Sequence, residues 1–165
     1  MTGLRRVFEE INRLRQEGTL LDYAVGGASA VPFHTEPVNT YDLDLFVFLP
    51  HTSGTIISMA PLYSRLEELG YHPHAEHVMI EGVPVQFLPA YNPLVEDAVR
   101  KAVTLDYLGV PVRVVSAEHL AALALQTGGA RRISRVRLLR ESPSFDEQTF
   151  LALLQHYGLT DRNRT

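Results

Sequence analysis

Two segments decide the fold of this chain: Val25-Gly26-Gly27-Ala28-Ser29 and, after a loop, Thr40-Tyr41-Asp42-Leu43-Asp44-Leu45-Phe46-Val47-Phe48-Leu49. The second segment alternates acidic and apolar residues before it becomes almost wholly apolar. In an extended strand, residues two apart point to the same face, so the pattern predicts that Asp42 and Asp44 project together. A strand this apolar belongs in the centre of a sheet.

The two aspartates predict a site for a divalent cation. Two carboxylates held close together repel and raise each other's pKa unless a cation lies between them, and hard oxygen ligands suit Mg²⁺ or Mn²⁺. The alternative is that Asp42 caps or turns the chain and Asp44 is exposed on an edge strand. We favour the cation site, because burying two unpaired carboxylates would cost several kcal/mol.

The glycine-rich turn supplies the second half of the predicted site. Gly26 and Gly27 carry no side chain, so their backbone amides are open to an anion at a helix N-terminus, and the Ser29 hydroxyl is a further donor. The sequence therefore predicts a seat for phosphate oxygens beside the two carboxylates.

The composition is that of an ordinary globular protein. The chain has 165 residues, 45% of them hydrophobic and 21% charged, which fits one domain with one core. There is no apolar run long enough to cross a membrane and no N-terminal signal, so we expect a cytoplasmic location without membrane partners. Cysteine is absent and the net charge is −4, which excludes thiolate metal sites and argues against a generic nucleic-acid coat.

Apolar periodicity and turn residues predict an α/β fold with a mixed, mostly antiparallel sheet flanked by helices and a C-terminal helical extension. We divide the chain into a core at 1–115 and the extension at 116–165. The predicted strands are 20–25, 41–49, 77–80, 83–88, 105–108 and 110–115. The predicted helices are 4–16, 28–33, 56–69, 93–103, 116–126, 130–140 and one that opens with a capping box at 144–147 and runs to 157.

These segments resemble the signature of the nucleotidyltransferase superfamily related to DNA polymerase beta. The layout of N-terminal helix, glycine turn, Thr-x-Asp-x-Asp strand, hairpin and helical tail is similar to bacterial nucleotidyltransferase-like proteins grouped with the abortive-infection E toxins. The resemblance implies transfer of a nucleoside monophosphate from a nucleoside triphosphate to a hydroxyl of an RNA or protein acceptor. It also implies a metal on Asp42 and Asp44, the triphosphate on the turn from Gly26 to Ser29, and a toxin–antitoxin-like role.

The chain departs from this family at two places. The superfamily usually has a third carboxylate on a later strand, and the matching position here is Gln86, which offers a carbonyl oxygen without charge. Glu76 and Glu81 are the other acids near this hairpin. In the helical tail, related toxins carry a Lys-Asp pair where this chain has Arg131 and Arg132, and Arg131 is our predicted phosphate ligand.

Two alternative hypotheses remain at this point. The chain could be a catalytically degenerate relative that binds a nucleotide or a partner, as the glutamine suggests, or a plain interaction module whose acidic pair is structural. Arg131 and Arg135 lie one turn apart on the predicted helix and are candidates to contact the triphosphate or an RNA acceptor. The alternative is that the arginines along 131–140 form a solvated helix face, as charge runs usually do. The histidines match no familiar zinc-ligand spacing.

Overall fold

The computed structural model describes residues 2–35, 42–50 and 57–161. The helices are α1 (Thr2–Gln16), α2 (Gly27–Ala30), α3 (Pro32–Thr35), α4 (Ala60–Glu68), α5 (Pro93–Arg100), α6 (Ala117–Thr127), α7 (Ala130–Arg140) and α8 (Glu147–Tyr157). The strands are β1 (Asp22–Gly26), β2 (Leu43–Phe48), β3 (Pro73–His74), β4 (His77–Ile80), β5 (Val83–Pro89), β6 (Val103–Tyr107) and β7 (Val110–Val114).

The strands of the described residues form one mixed sheet in the order β3-β4-β5-β2-β1-β7-β6. The pairs β2–β5 and β1–β7 are parallel, and the other neighbouring pairs are antiparallel. The predicted α/β class is therefore confirmed, and so is a mostly antiparallel sheet. Strand β2 lies at its centre, as the apolar run predicted.

One hydrophobic core joins the sheet to the helices. On β2, the side chains of Leu43, Leu45 and Val47 are buried on one face of the sheet, while Asp44 and Phe46 occupy the other. The C-terminal helices contribute buried side chains to the same core, among them Val136 and Phe150. Each fully buried side chain of this size stabilises the fold by about 1.5–3 kcal/mol. The division at residue 116 stays a prediction.

Several element boundaries differ from those predicted. Helix α5 ends at Arg100 rather than at 103, because the β-branched Val103 opens strand β6, where it pairs with Val114. Helix α8 is capped by Asp146 instead of Ser144, since one Asp146 carboxylate oxygen accepts the N–H groups of residues 148 and 149.

Further differences concern short elements. The predicted helix at 28–33 is two short helices, α2 and α3, with Pro32 opening the second. The two-residue strand β3 was not predicted. The helix predicted at 56–69 begins at Ala60, and the predictions made for residues 36–41 and 51–56 lie outside the described residues. Within the described part of the chain, each helix is too short or too polar to cross a membrane.

Candidate active site

The register of the sheet places Asp44 between two of the residues that sequence analysis singled out. Asp44 pairs with Gln86 on β5 and with Gly26 on β1. On β4, His77 precedes Val78, which pairs with Val85, the neighbour of Gln86 on β5. Side chains at matched positions of neighbouring strands share a face, so Asp44 and Gln86 stand side by side. The predicted third-carboxylate position is therefore adjacent to Asp44, where it carries an amide.

The two aspartates occupy different environments. Asp42 precedes β2 and is exposed, whereas Asp44 is half-buried, so only one of the two carboxylates is withdrawn from water. The expectation of a buried pair is corrected accordingly, since the strand begins at Leu43. Burial raises the pKa of the Asp44 carboxyl above its usual value, and the negative charge of Asp42 raises it further. His77 and the guanidinium group of Arg135 act on the pKa of the same group in the opposite direction.

Gly27 lies against the Asp44 carboxylate. Its backbone φ is +57°, a left-handed conformation that favours glycine. A Cβ atom at this position would lie 2.8 Å from Asp44 Oδ2, closer than such contacts allow. Gly26 has a different constraint, because a Cβ there would meet the Phe46 ring at 2.3 Å. The glycine pair thus lets the turn approach β2, with Gly27 exposed beside the carboxylate.

The Ser29 hydroxyl makes two hydrogen bonds to the protein backbone. It is buried, donates to the Gly26 carbonyl at 2.8 Å, and accepts from the Asp44 backbone N–H at 3.0 Å. A hydroxyl has one proton to donate, and here the Gly26 carbonyl takes it. Ser29 therefore fixes the turn to the start of β2, a different role from the phosphate contact predicted for it.

An open cavity of about 280 Å³ lies over this part of the sheet. Its polar lining residues are Gly27, Asp44, Gln86, Thr127, Arg132 and Arg135. Its apolar and aromatic lining residues are Val31, Phe46, Leu88, Tyr91, Leu120, Leu123, Ala124 and Leu139. Helices α6 and α7 form the wall that faces the sheet. The cavity joins a carboxylate and two guanidinium groups to an extended apolar surface.

The arginines that line the cavity are Arg132 and Arg135, and Arg131 is exposed outside its lining. Residues 132, 135 and 139 share one face of α7, and Leu139 is buried, so this face is turned toward the protein. The sequence contained this signal in the three-and-four spacing of the arginines with Leu139. Arg135 was a candidate from the sequence, whereas the contribution of α6 to the wall was not predicted.

The two other candidate acids of the hairpin do not reach this cavity. Glu81 lies at the β4–β5 turn, where it accepts from the Tyr71 hydroxyl at 2.9 Å and pairs with Arg6 at 3.6 Å. Glu76 is exposed at the β3–β4 turn and is absent from the cavity lining.

The oxygen donors at the site fit one divalent cation. Within the described residues no group of three acidic or histidine side chains is close enough to hold a metal. A magnesium ion, however, is often held by one or two carboxylates together with substrate phosphates. Asp42 and Asp44 are the two carboxylates of this part of the sheet, and Gln86, which pairs with Asp44, has the residue type to add a neutral oxygen donor.

Solved structures with the same fold are nucleotidyltransferases or resemble them. ANT(2")-Ia in complex with adenylyl-2"-tobramycin aligns over 93% of this chain and 95% of its own, with a TM-score of 0.57 and 17% identity. A solution structure of the antibiotic-resistance factor ANT(2'')-Ia aligns over 95% and 92%, with a TM-score of 0.56 and 17% identity. An antigenic nucleotidyltransferase-like protein from Paracoccidioides brasiliensis aligns over 95% and 89%, with a TM-score of 0.59 and 19% identity.

These similarities establish the class of fold. The chain has the nucleotidyltransferase fold across nearly its whole length. No family model matches the sequence, and no curated protein matches it.

Proposed function

We propose that this protein is a metal-dependent nucleotidyltransferase that moves a nucleoside monophosphate from a nucleoside triphosphate to a hydroxyl. The observation that carries the proposal is the placement of Asp44 between Gly27 and Gln86, facing Arg135, in a cavity of a nucleotidyltransferase fold. Carboxylates, an open backbone turn and a guanidinium group are the components that phosphoryl-transfer chemistry needs.

Asp42 and Asp44 would hold Mg²⁺ or Mn²⁺, with the Gln86 amide oxygen as a neutral third donor. The raised pKa of Asp44 supports this assignment, because the repulsion from Asp42 that contributes to it would be relieved by a cation. When bound, the cation would neutralise the charge that develops on the phosphate oxygens.

The triphosphate would lie between the glycine turn and helix α7. Gly26 and Gly27 are the backbone ligands expected from the sequence, and Gly27 is the one exposed beside Asp44. Arg135 is half-buried in the cavity lining and its charge acts on Asp44, so its guanidinium group is placed to bind phosphate oxygens. Arg132 is a second candidate for this role, whereas Arg131 would contact phosphates only from outside the lining.

The reaction requires no nucleophile from the protein. The acceptor hydroxyl oxygen forms a bond to the α-phosphorus, the bond from that phosphorus to the bridging oxygen breaks, and pyrophosphate leaves. The hydroxyl proton passes to solvent. The chain contributes by holding the two reactants in line and by surrounding the phosphates with positive charge.

The acceptor is expected to be an RNA or a protein, and the toxin–antitoxin-like role and the likeness to abortive-infection E toxins remain predictions from the sequence. One structural neighbour is a complex with adenylyl-2"-tobramycin, so an aminoglycoside is a third acceptor to test.

Label transfer tests the proposal. Each α-labelled nucleoside triphosphate is incubated with the protein, Mg²⁺ or Mn²⁺, and total RNA, cell protein or tobramycin. We expect label on one acceptor class, and its loss in Asp44→Asn but not in Glu141→Gln, a control at an exposed acid that is not part of the cavity lining. Transfer that survives Asp44→Asn at the parent rate would refute the assignment.

A second candidate function is nucleotide binding without transfer. Gln86 favours it, because the position beside Asp44 lacks the negative charge that a second metal ion would need. Under this hypothesis the protein binds nucleoside triphosphate with Mg²⁺ yet labels no acceptor, and Gln86→Asp increases affinity for Mn²⁺.

A further inference from the structure

Tyr91 is an aromatic side chain exposed at the mouth of the cavity. It follows strand β5 and is 64% exposed, the largest value among the exposed large apolar side chains of the described residues. Its ring lies 6.3 Å from that of Phe46 in an edge-on arrangement. Its hydroxyl has no hydrogen-bond partner in the part of the chain that the structure describes. A ring with this exposure in the cavity lining is accessible to a bound ligand.

The cavity changes character along the strands. Asp44 and Gln86 form a polar pair across β2 and β5, and two residues further on, about 7 Å along the strands, Phe46 pairs with Leu88. Tyr91 lies beyond Phe46. The α6 residues Leu120, Leu123 and Ala124 line the same cavity. Charged groups therefore occupy one end, an apolar wall follows, and an open aromatic ring stands at the mouth.

We propose that Tyr91 stacks against the base of the bound nucleotide. This inference rests on the proposed function and adds the orientation of the substrate. A nucleoside triphosphate has the same order of groups as the cavity: charged phosphates, then a sugar, then a flat ring. With the phosphates between Gly27 and Arg135, the base extends past Phe46 toward Tyr91. Every base has a π-face, so the contact favours all four bases to a similar degree.

Calorimetric binding of two probes separates the base from the phosphates. Each of the four nucleoside triphosphates and inorganic tripolyphosphate, which has no base, is titrated with Mg²⁺ into the parent protein and into Tyr91→Ala. Tyr91→Phe keeps the ring and serves as the conservative variant. Leu21→Ala is the matched control, since Leu21 is 55% exposed and is not among the residues that line this cavity.

We expect Tyr91→Ala to weaken all four nucleoside triphosphates by about tenfold, the effect typical of losing one stacked base. Tripolyphosphate affinity should stay unchanged, and Tyr91→Phe and Leu21→Ala should bind every probe as the parent does. Equal nucleotide affinity in Tyr91→Ala and the parent would overturn the stacking and leave the proposed function intact, because the parent still binds. Failure of the parent to bind any nucleoside triphosphate would overturn both.

Discussion

At the scale of single residues, Gly27 is the most tightly constrained position of the candidate site. Its backbone is left-handed, and an added Cβ atom would lie only 2.8 Å from Asp44 Oδ2. Gly18 offers a comparison, because its φ is +85° but nothing lies within 4 Å of the same atom. Alanine substitutions at the two glycines therefore distinguish the effect of backbone strain, present at both, from the effect of steric contact with the carboxylate, present at Gly27 alone.

We expect Gly18→Ala to lower the free energy of unfolding by about 1 kcal/mol, the cost of a left-handed alanine. Gly27→Ala should cost more, about 2 kcal/mol, and should also weaken Mg²⁺-dependent nucleotide binding, because the carboxylate must move. Urea unfolding and calorimetry measure the two effects. Nucleotide affinity that is equal in the two variants would show that the approach of Gly27 to Asp44 has no role in binding.

The raised pKa of Asp44 predicts a pH dependence of stability with a definite sign. Because burial and the charge of Asp42 make the folded state hold this proton more tightly than the unfolded chain does, stability falls as the pH rises from the usual aspartate pKa through the raised value. Above that range the ionised Asp44 carboxylate lowers the free energy of unfolding by its full amount.

Asp44→Asn should therefore have a higher Tm than the parent at neutral pH in EDTA, and the difference should shrink on acidification. Added Mg²⁺ should raise the Tm of the parent alone, since a cation relieves the same cost. Melting curves from about pH 3 to 8 check this expectation. A lower Tm for Asp44→Asn throughout would show that the ionised carboxylate stabilises the fold.

At the scale of elements, the face that α7 turns to the cavity decides which arginines can act. Arg135 is half-buried in the lining and Arg131 is exposed outside it. Arg135→Ala is expected to weaken nucleoside triphosphate binding by about tenfold. This is the lower end of the effect of losing one charge-assisted hydrogen bond, which contributes about 1.5–3 kcal/mol. Arg131→Ala should bind within about twofold of the parent by calorimetry. A larger loss of affinity in Arg131→Ala than in Arg135→Ala would contradict this expectation and favour Arg131 as the phosphate ligand.

A buried histidine in the first turn of α6, His119, connects this helix to α5. Nε2 of His119 lies 2.8 Å from an Asp97 carboxylate oxygen on α5, and its Nδ1 lies 2.7 Å from the hydroxyl of Ser116, the N-cap of α6. Since an ionised carboxylate only accepts, Nε2–H donates to Asp97, and the hydrogen bond between Nδ1 and the hydroxyl completes the link between the two helices.

His119→Ala is expected to lower the free energy of unfolding by about 2–3 kcal/mol, because it removes two partly buried hydrogen bonds and leaves a cavity where the buried imidazole was. His72→Ala, at an exposed position, should stay within about 0.5 kcal/mol of the parent. Urea denaturation of both variants gives the comparison. A change in His119→Ala no larger than that in His72→Ala would mean that this network adds nothing to the fold.

At the scale of the whole molecule, local patterns predicted the sheet and the position of Asp44 within it. The alternation around Leu43 and Leu45 is a property of a strand by itself, and Gln86 could be matched to its position through the family motif. The end of α5 and the cap of α8 depended on competition between neighbouring residues, which periodicity does not resolve.

The rest of the site depends on tertiary contacts. Which face of α7 meets the sheet is fixed by the burial of Val136 and Leu139, and the exposed position of Tyr91 depends on how β5 runs into α5. Ser29 has the residue type of a phosphate ligand, but its hydrogen bonds to Gly26 and Asp44 appear only once β1 and β2 are paired. Residue type indicated the chemistry of the site, and packing decided which side chains reach it.

The most direct test of the account is a calorimetric titration of nucleoside triphosphate into the protein, with Mg²⁺ and with EDTA. We expect binding that requires Mg²⁺ and that is lost in Asp44→Asn, while Glu141→Gln binds as the parent does. Nucleotide binding that is equally tight in EDTA, or equally tight in Asp44→Asn, would contradict a metal-assisted nucleotide site at the start of β2.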